Sequence, residues 1–543
     1  MRVADLVGRV LAGLGVAHAF GVVGSGNFAV TNALRAHGVP FTAARHECGA
    51  TTMADAYARL RGEPTVVTLH QGCGLTNALT GIGEAAKSRT PLLVLAADVA
   101  GSAVNSNFRI DADAAIAAVG AVPERVHSAA SAVTDTLRAY RRALQERRTV
   151  VLNLPLDVQA QQAPDPGPVS IPSAPRPVRP HPDSVADLAR VLADARRPVF
   201  VAGRGARGAA TELGELAERA GALLATSAVA NGLFTGDPFA LGISGGFASP
   251  LAAELITGAD LVVGWGCALN MWTTRHGTLL GQGATVVQVD VESSALGAHR
   301  PVDLGVVGDA AVTARDVLAV LAPREGYRTE LVRERIATGI RWRDESTVDS
   351  SVSGRIDPRI LSARLDDLLP EQRVVAVDSG NFMGYPSAYL SVPDENGFCF
   401  TQAFQSIGLG LASAIGAALA RPDRLPVAAL GDGGGLMSIA ELETAVRLGL
   451  PMVIVVYNDA GYGAEVHHFA GPGVDLGTVR FPDTDLAAIA RGFGCDAVTV
   501  RGESDLGAVS GWLAGPRDRP LLIDAKIADD GGSWWLAEAF RGH

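Results

Sequence analysis

The feature that most constrains this chain is a series of short apolar runs that do not alternate with polar residues and that end at Gly, Asp or Asn. They occur at 64–69, 91–95, 149–152, 198–202, 261–264, 285–289, 374–377, 426–430, 451–456 and 521–523. A strand whose two faces are both covered reads this way, because neither set of side chains meets water. Between the runs lie segments with helical spacing, such as 439–448. The pattern predicts an α/β protein built from mostly parallel sheets flanked by helices.

At 543 residues the chain is too long for one core. Two stretches break the rhythm, one rich in Pro and Ser and one charged with weak periodicity. They predict a first domain at 1–165, a linker at 166–184, a central Rossmann-like domain at 185–325, a partly helical linker at 326–357 and a third domain at 358–530. Residues 531–543 form a tail. A net charge of −11 without a basic run argues against nucleic-acid and membrane partners. The five cysteines are scattered without metal spacing and read as buried thiols in a reducing compartment. The N-terminus has no leader pattern and no apolar run is long enough to span a bilayer, so a cytoplasmic location is expected.

Chemistry concentrates where the third domain's strands end. The segment Gly431-Asp432-Gly433-Gly434 follows an apolar run and precedes a helical one. That arrangement aims backbone N–H groups at an anion. Asp432 cannot hold a phosphate itself, so a hard cation such as Mg²⁺ is its natural partner. The next run ends at Asn458-Asp459-Ala460-Gly461. Neighbouring parallel strands end on one side, so Asp459 can reach the same ion. The loop alone could be an ordinary tight turn, and Asn458-Asp459 alone a helix cap; the pair together is more specific.

Gly431-Asp432-Gly433, 24 further residues, and then Asn458-Asp459 resembles the thiamine diphosphate motif of the acetolactate synthase, pyruvate decarboxylase and benzoylformate decarboxylase superfamily. The resemblance covers essentially the whole chain and implies a pyrimidine-binding first domain and a diphosphate-binding third domain. It implies thiamine diphosphate and Mg²⁺ as cofactors, with the metal held by Asp432, Asp459 and the Gly461 carbonyl. Asp459 stands where Asn is commoner. Gly433 and Gly434 would donate to the diphosphate, and Asp378-Ser379-Gly380-Asn381-Phe382 resembles the family's other diphosphate loop, giving Gly380, Asn381 and Phe382 as cofactor residues. Tyr462 follows the metal pair and joins this set.

In the first domain, Ala44-Arg45-His46-Glu47 and the helical segment after it resemble the family's catalytic segment. Glu47 would hydrogen-bond the cofactor pyrimidine and promote removal of the thiazolium proton. Residues 402–417 resemble the segment that bends the cofactor. Ile407 would wedge beneath its two rings, and the Gln405 carbonyl would accept from its amino group. Gln405 departs from the family's frequent Gly.

On the substrate side, Phe20-Gly21-Val22-Val23-Gly24-Ser25 resembles the first active-site loop, with Val23 in place of the usual Pro. The segment 69–77 resembles the loop that usually reads Gly-Pro-Gly, with Cys73 replacing Pro and Asn77 near the cofactor. Ser25 and His70 match positions that contact the substrate carboxylate or relay protons, and Glu465 matches a carboxylate over the reacting centre. His467 and His468 follow it, and His468 is the one assigned to the pocket. The lysine that branched-chain acetolactate synthases carry within 122–127 is missing. The central loops Gly203-Arg204-Gly205 and Gly264-Trp265-Gly266 could approach a nucleotide, since this domain binds FAD in some members and ADP in others; FAD is not predicted here. The segment 270–276 is a further candidate for reaching the site, and Ser533-Trp534-Trp535-Leu536 reads as a lid or as aromatic anchors.

The expected activity is a carboligase acting on a 2-keto acid: decarboxylation to an enamine, then addition to a second carbonyl. The alternatives are a non-oxidative decarboxylase releasing an aldehyde, hydrolysis or flavin-dependent oxidation of the same enamine, and a non-catalytic homologue. Retention of Glu47 argues against the last. The resemblance implies a homodimer as the smallest active unit, because Glu47 of one subunit meets the metal loop of another, and a homotetramer as the expected assembly.

Overall fold

A computed structural model describes every residue except 166, 168, 171–175 and 542–543. The linker expected at 166–184 therefore falls partly outside the described residues.

The apolar runs form three six-stranded sheets in which every named strand pair is parallel. The first contains β1 His18–Gly21, β2 Phe41–Ala43, β3 Thr65–Leu69, β4 Leu92–Asp98, β5 Val122–Arg125 and β6 Thr149–Pro155. The second contains β7 Pro198–Ala202, β8 Leu223–Thr226, β9 Ala240–Ile243, β10 Leu261–Trp265, β11 Thr285–Asp290 and β12 Leu304–Val307. The third contains β13 Arg373–Val377, β14 Phe398–Phe400, β15 Leu425–Gly431, β16 Val453–Asn458, β17 Asp496–Val500 and β18 Leu521–Lys526. Central strands such as β3, β7 and β13 are buried at every position, as continuous apolar runs require.

The first sheet runs β2-β1-β3-β4-β6-β5 and the third β14-β13-β15-β16-β18-β17. These are one strand order used twice. The second runs β9-β8-β7-β10-β11-β12, the order of a dinucleotide-binding sheet. In each sheet the order reverses beside its first strand, the place where open α/β sheets bind ligands at the carboxyl ends of their strands.

The first and third domains share a hydrophobic core. Its centre is a crossing of helix Glu47–Arg61 with helix Gly410–Ala420. A Cβ on Gly416 would lie 2.2 Å from the Met53 carbonyl oxygen, so the backbones meet directly. Under this crossing Arg59 pairs with Asp55 at 2.5 Å and Glu84 at 2.9 Å, and Glu84 also accepts from the Phe404 N–H at 2.7 Å. Arg207 of the central domain donates to the carbonyls of Arg59 and Glu395, touching both other domains.

Two expectations need correction. The glycine-rich segment after β15 is not a turn before a helix: Asp432–Met437 is itself helical, and the expected 439–448 helix is the shorter Glu441–Arg447. Asp432 stands in the first turn of that helix, where its carboxylate accepts from its own N–H and that of Gly433 and where a negative charge suits the helix dipole. The cysteines are not all buried, because Cys73 is exposed and Cys48 half-buried where the loops of the first domain open. The stretch 326–357, read as a partly helical linker, contains the helix Glu330–Gly339, capped by Thr329. Among the described residues no helix is long and apolar enough to cross a membrane.

Candidate active site

Two clusters of the expected residues form, each at the reversal point of its sheet. In the first domain the loops after β1, β2 and β3 bring Val23, Ser25, Glu47, His70 and Asn77 to one end. Glu47 opens its helix, and the Asn77 amide donates to Glu47 Oε2 at 3.1 Å. The other oxygen, Oε1, faces Gly74, whose added Cβ would lie 3.6 Å from it. The preceding turn is anchored from the third domain: Glu441 accepts from the N–H groups of Arg45 at 3.1 Å and His46 at 3.0 Å. Burial pushes the Glu441 carboxyl above its ordinary value, and the Thr444 hydroxyl and these N–H groups oppose that shift.

His70 Nδ1 accepts from the Gly26 N–H at 3.2 Å. That bond selects the tautomer with its proton on Nε2. The ring stands edge-on to Phe108, with centroids 5.2 Å apart, and the Phe108 carbonyl closes over Gly72. Ser25 is exposed and its hydroxyl has no hydrogen-bond partner among the described residues; Val23 is 41% exposed. Beyond Phe108 a cleft of about 1000 Å³ opens over the ends of β4, β5 and β6, lined by residues including Asp98, Arg109, Arg125 and His127. Within 122–127, where the lysine is missing, Arg125 is held by Asp98 at 2.7 Å.

In the third domain β15 and β16 are paired with Gly431 opposite Tyr457. This register sets Asp432 beside the end of β16 and brings its carboxyl group within hydrogen-bond reach of Asp459. Both are largely withdrawn from water. Burial raises each, and the nearby Asp432 charge pushes Asp459 well above the carboxylate range. The Gly461 N–H donates to both. Two crowded carboxyls with only oxygen donors around them suit a hard divalent cation, which Mg²⁺ sites complete with backbone, water and phosphate oxygens. Among the described residues no cluster of three or more Asp, Glu, His or Cys side chains is arranged for a metal, so these two carboxyls would be the only such ligands.

Gly433 and Gly434 are packed by protein. A Cβ on Gly433 would meet the Tyr462 ring at 2.7 Å, and one on Gly434 would meet Asp378 Oδ2 at 2.4 Å. Asp378 is fully buried and accepts from Ser379, Gly408 and Leu409 N–H groups at 2.9, 2.9 and 3.1 Å. Burial raises it to about 6 against these donors. It thereby fixes the loop carrying Gln405 and Ile407. Gln405 has φ +60°, a left-handed conformation that favours glycine, which accounts for the glycine of the resembled motif. Ile407 is half-buried.

Phe382 stacks on Tyr457 with centroids 5.3 Å apart, while Gly380 has φ +137° and Asn381 is 6% exposed. Glu465 lies half-buried on the helix Gly463–Phe469 and has no hydrogen-bond or ion-pair partner among the described residues. His468 on the same helix is exposed and stacks on Phe540 at 3.9 Å; His467 packs against Gly532 instead. The segment 270–276 reaches the tail and not the metal pair: His276 Nε2 bonds the Glu538 carbonyl at 2.7 Å, and Trp272 contacts Trp535. At the central reversal point the expected nucleotide loops bond each other, Gly205 N–H donating to Gly266 O at 2.9 Å.

Among the described residues no hydrogen bond or ion pair joins the Glu47 cluster to the Asp432 cluster. Sequence reasoning missed Glu441, Phe108 and the structural part played by Asp378. Asp378 had a signal, a buried-strand run ending in an acid; Glu441 and Phe108 lie in segments with none.

Residues 1–116, 185–317 and 378–525 match, in that order, the N-terminal TPP binding domain, the central domain and the C-terminal TPP binding domain of thiamine pyrophosphate enzymes. A probable 2-ketoarginine decarboxylase of Pseudomonas aeruginosa is 30% identical over 512 residues, covering 92% of this chain and 89% of that protein. A sulfoacetaldehyde acetyltransferase of Castellaniella defragrans is 28% identical, covering 91% and 87%. The fold matches that of the thiamine diphosphate-dependent 4-hydroxybenzoylformate decarboxylase of Rhodococcus jostii RHA1, with a TM-score of 0.83, 22% identity and coverage of 98% and 100%.

Proposed function

The chain belongs to the thiamine pyrophosphate enzyme family, and from that premise we propose that it is a carboligase that removes CO₂ from a 2-keto acid and joins the remaining acyl fragment to a second small carbonyl compound. Relatives that are acetyltransferases and decarboxylases make it a thiamine-diphosphate-dependent enzyme of lyase or transferase type. The observation that supports the two-substrate reading is room: a cleft of about 1000 Å³ lies over the ends of β4, β5 and β6, and its lining residue Arg109 follows Phe108, whose ring stands edge-on to His70.

Thiamine diphosphate, when bound, supplies the electron sink for carbon–carbon cleavage. Asp432, Asp459 and the Gly461 carbonyl would hold its Mg²⁺. Asn77 fixes Glu47 through Oε2 and leaves Oε1 to exchange a proton with the cofactor pyrimidine. The Ser25 hydroxyl and the His70 Nε2–H are donors for the substrate carboxylate. Asp378 holds the loop from which Ile407 supports the cofactor and the Gln405 carbonyl accepts. Val23, Gly380, Asn381, Phe382, Gly433, Gly434 and Tyr462 complete the cofactor surroundings. In this reading the working site draws Glu47 from a second copy, as the family resemblance implies, in a homodimer or a pair of them; among the described residues no hydrogen bond joins the two clusters within one chain.

A second reading, aldehyde release without an acceptor, is favoured by the Glu465 carboxyl, which has no hydrogen-bond or ion-pair partner among the described residues and would deliver a proton to the acyl carbon, with His468 following on the same helix. Mass spectrometry of products from a panel of 2-keto acids, each with and without an aldehyde or ketone acceptor, separates the two. Carboligation requires a product carrying carbons from both reactants. Aldehyde alone under every condition removes the first reading, and no turnover of any 2-keto acid removes both.

A further inference from the structure

The C-terminal tail makes its most buried polar contacts with one residue of the third domain. Ser533 Oγ donates to the Asn381 carbonyl at 2.6 Å, and Trp535 Nε1 donates to the same oxygen at 3.2 Å. Ser533 N–H donates to Asn381 Oδ1 at 3.1 Å. Ser533 is 5% exposed, Trp535 4% and Asn381 6%, so these bonds form out of water, where losing a partner costs most. The tail is held in turn. Trp534 Nε1 donates to the Gly246 carbonyl of the central domain at 3.0 Å, and a Cβ on Gly384 would meet the Trp535 ring at 2.4 Å.

Asn381 lies against the metal pair. A Cβ on Gly463 would fall 2.1 Å from Asp459 Oδ2 and 3.1 Å from Asn381 Cβ, so Asn381, Gly463 and Asp459 pack as one layer. The bond from Ser533 also decides which end of the Asn381 amide is used up. Oδ1 is an acceptor for the tail, and Nδ2 remains a donor with no partner among the described residues.

We propose that Ser533 and Trp535 are positioning residues for the diphosphate and metal site, holding Asn381 by its carbonyl and side-chain oxygen so that its Nδ2 stays available as a donor beside Asp459. The tail is then a fixed wall of the cofactor site, secured to the central domain, and not a lid that swings over it. This rests on reading the third domain as the diphosphate half-site.

The test uses the full chain. Ser533→Ala removes one hydroxyl, and Trp535→Phe removes one N–H while keeping a ring in the core. Calorimetric titration with thiamine diphosphate in excess Mg²⁺ is expected to show the double variant binding roughly tenfold more weakly, the size expected from two lost buried bonds. Ser533→Thr, which keeps the hydroxyl, is expected to bind within roughly twofold of the parent. Hydrogen exchange without cofactor is expected to quicken at 380–384 in the double variant by more than it does in the strands of the third domain. Unchanged exchange at 380–384, or cofactor affinity equal to the parent's, overturns the proposal. If the parent chain itself fails to bind thiamine diphosphate, the functional reading falls, and the exchange at 380–384 still decides whether the tail positions Asn381.

Discussion

The carboxyl groups of Asp432 and Asp459 meet at the carboxyl ends of adjacent parallel strands, withdrawn from water and within hydrogen-bond reach of one another. Without a cation, two such groups oppose each other's ionisation, so the cluster is a source of instability that a divalent ion relieves.

Asp459→Asn keeps an oxygen ligand and removes one charge. Asp459 is raised in the folded state, so the folded parent keeps this stability below the unfolded carboxylate value and loses it as pH rises from there through the raised folded value. The metal-free variant is expected to melt several degrees higher than the metal-free parent at neutral pH, with the difference fading in acid, where both carboxyls are protonated in either state. Asp432→Ala is expected to abolish Mg²⁺-dependent cofactor binding. Tight thiamine diphosphate binding by Asp432→Ala in calorimetry would show that the metal site is wrongly placed.

Asp378 gives a second pH signature. It is raised to about 6, chiefly by burial, from an ordinary value of 3.8. The shift corresponds to about 3 kcal/mol of stability present in acid and lost as pH climbs from the unfolded value to the folded one. Asp378→Asn removes that titration. The difference in unfolding free energy between parent and variant is expected to change between pH 3.8 and 6 and to be flat above; a difference that does not vary across this window contradicts the assignment.

Glu47→Gln keeps the shape and the contact with Asn77 but cannot take a proton. Cofactor affinity is expected to stay near that of the parent while turnover of a 2-keto acid falls by about 10²–10⁴-fold. Parental turnover in this variant would remove Glu47 from the chemistry.

Gln405 carries backbone strain at φ +60°. Gln405→Gly relieves it at some cost in chain entropy, so equilibrium unfolding is expected to show a change within about 1 kcal/mol. Gln405→Val places a β-branched residue in the same conformation and is expected to destabilise by more than about 1 kcal/mol. Equal effects of the two would show that the left-handed conformation is not kept in solution.

The sequence by itself determined the strands and the parallel sheets they form. Leu425–Gly431 is apolar throughout and Val453–Asn458 is so up to its last residue, because both faces are covered, and the helical crossover between them sets their ends side by side. That is why Gly431-Asp432-Gly433 and Asn458-Asp459 are linked by the sequence alone. The repeated plan of the first and third domains was visible only as a loose rhythm; their identical strand order required the sheets. Only the tertiary structure decided the partners that have no local pattern. Asn77 meets Glu47 across 30 residues, Glu441 holds the turn before Glu47 from 395 residues away, and Ser533 holds Asn381 from 152. Strand and helix periodicity arise from one segment's own burial, so a sequence displays them. A hydrogen bond between distant loops depends on where whole domains come to rest, and no spacing along the chain encodes that.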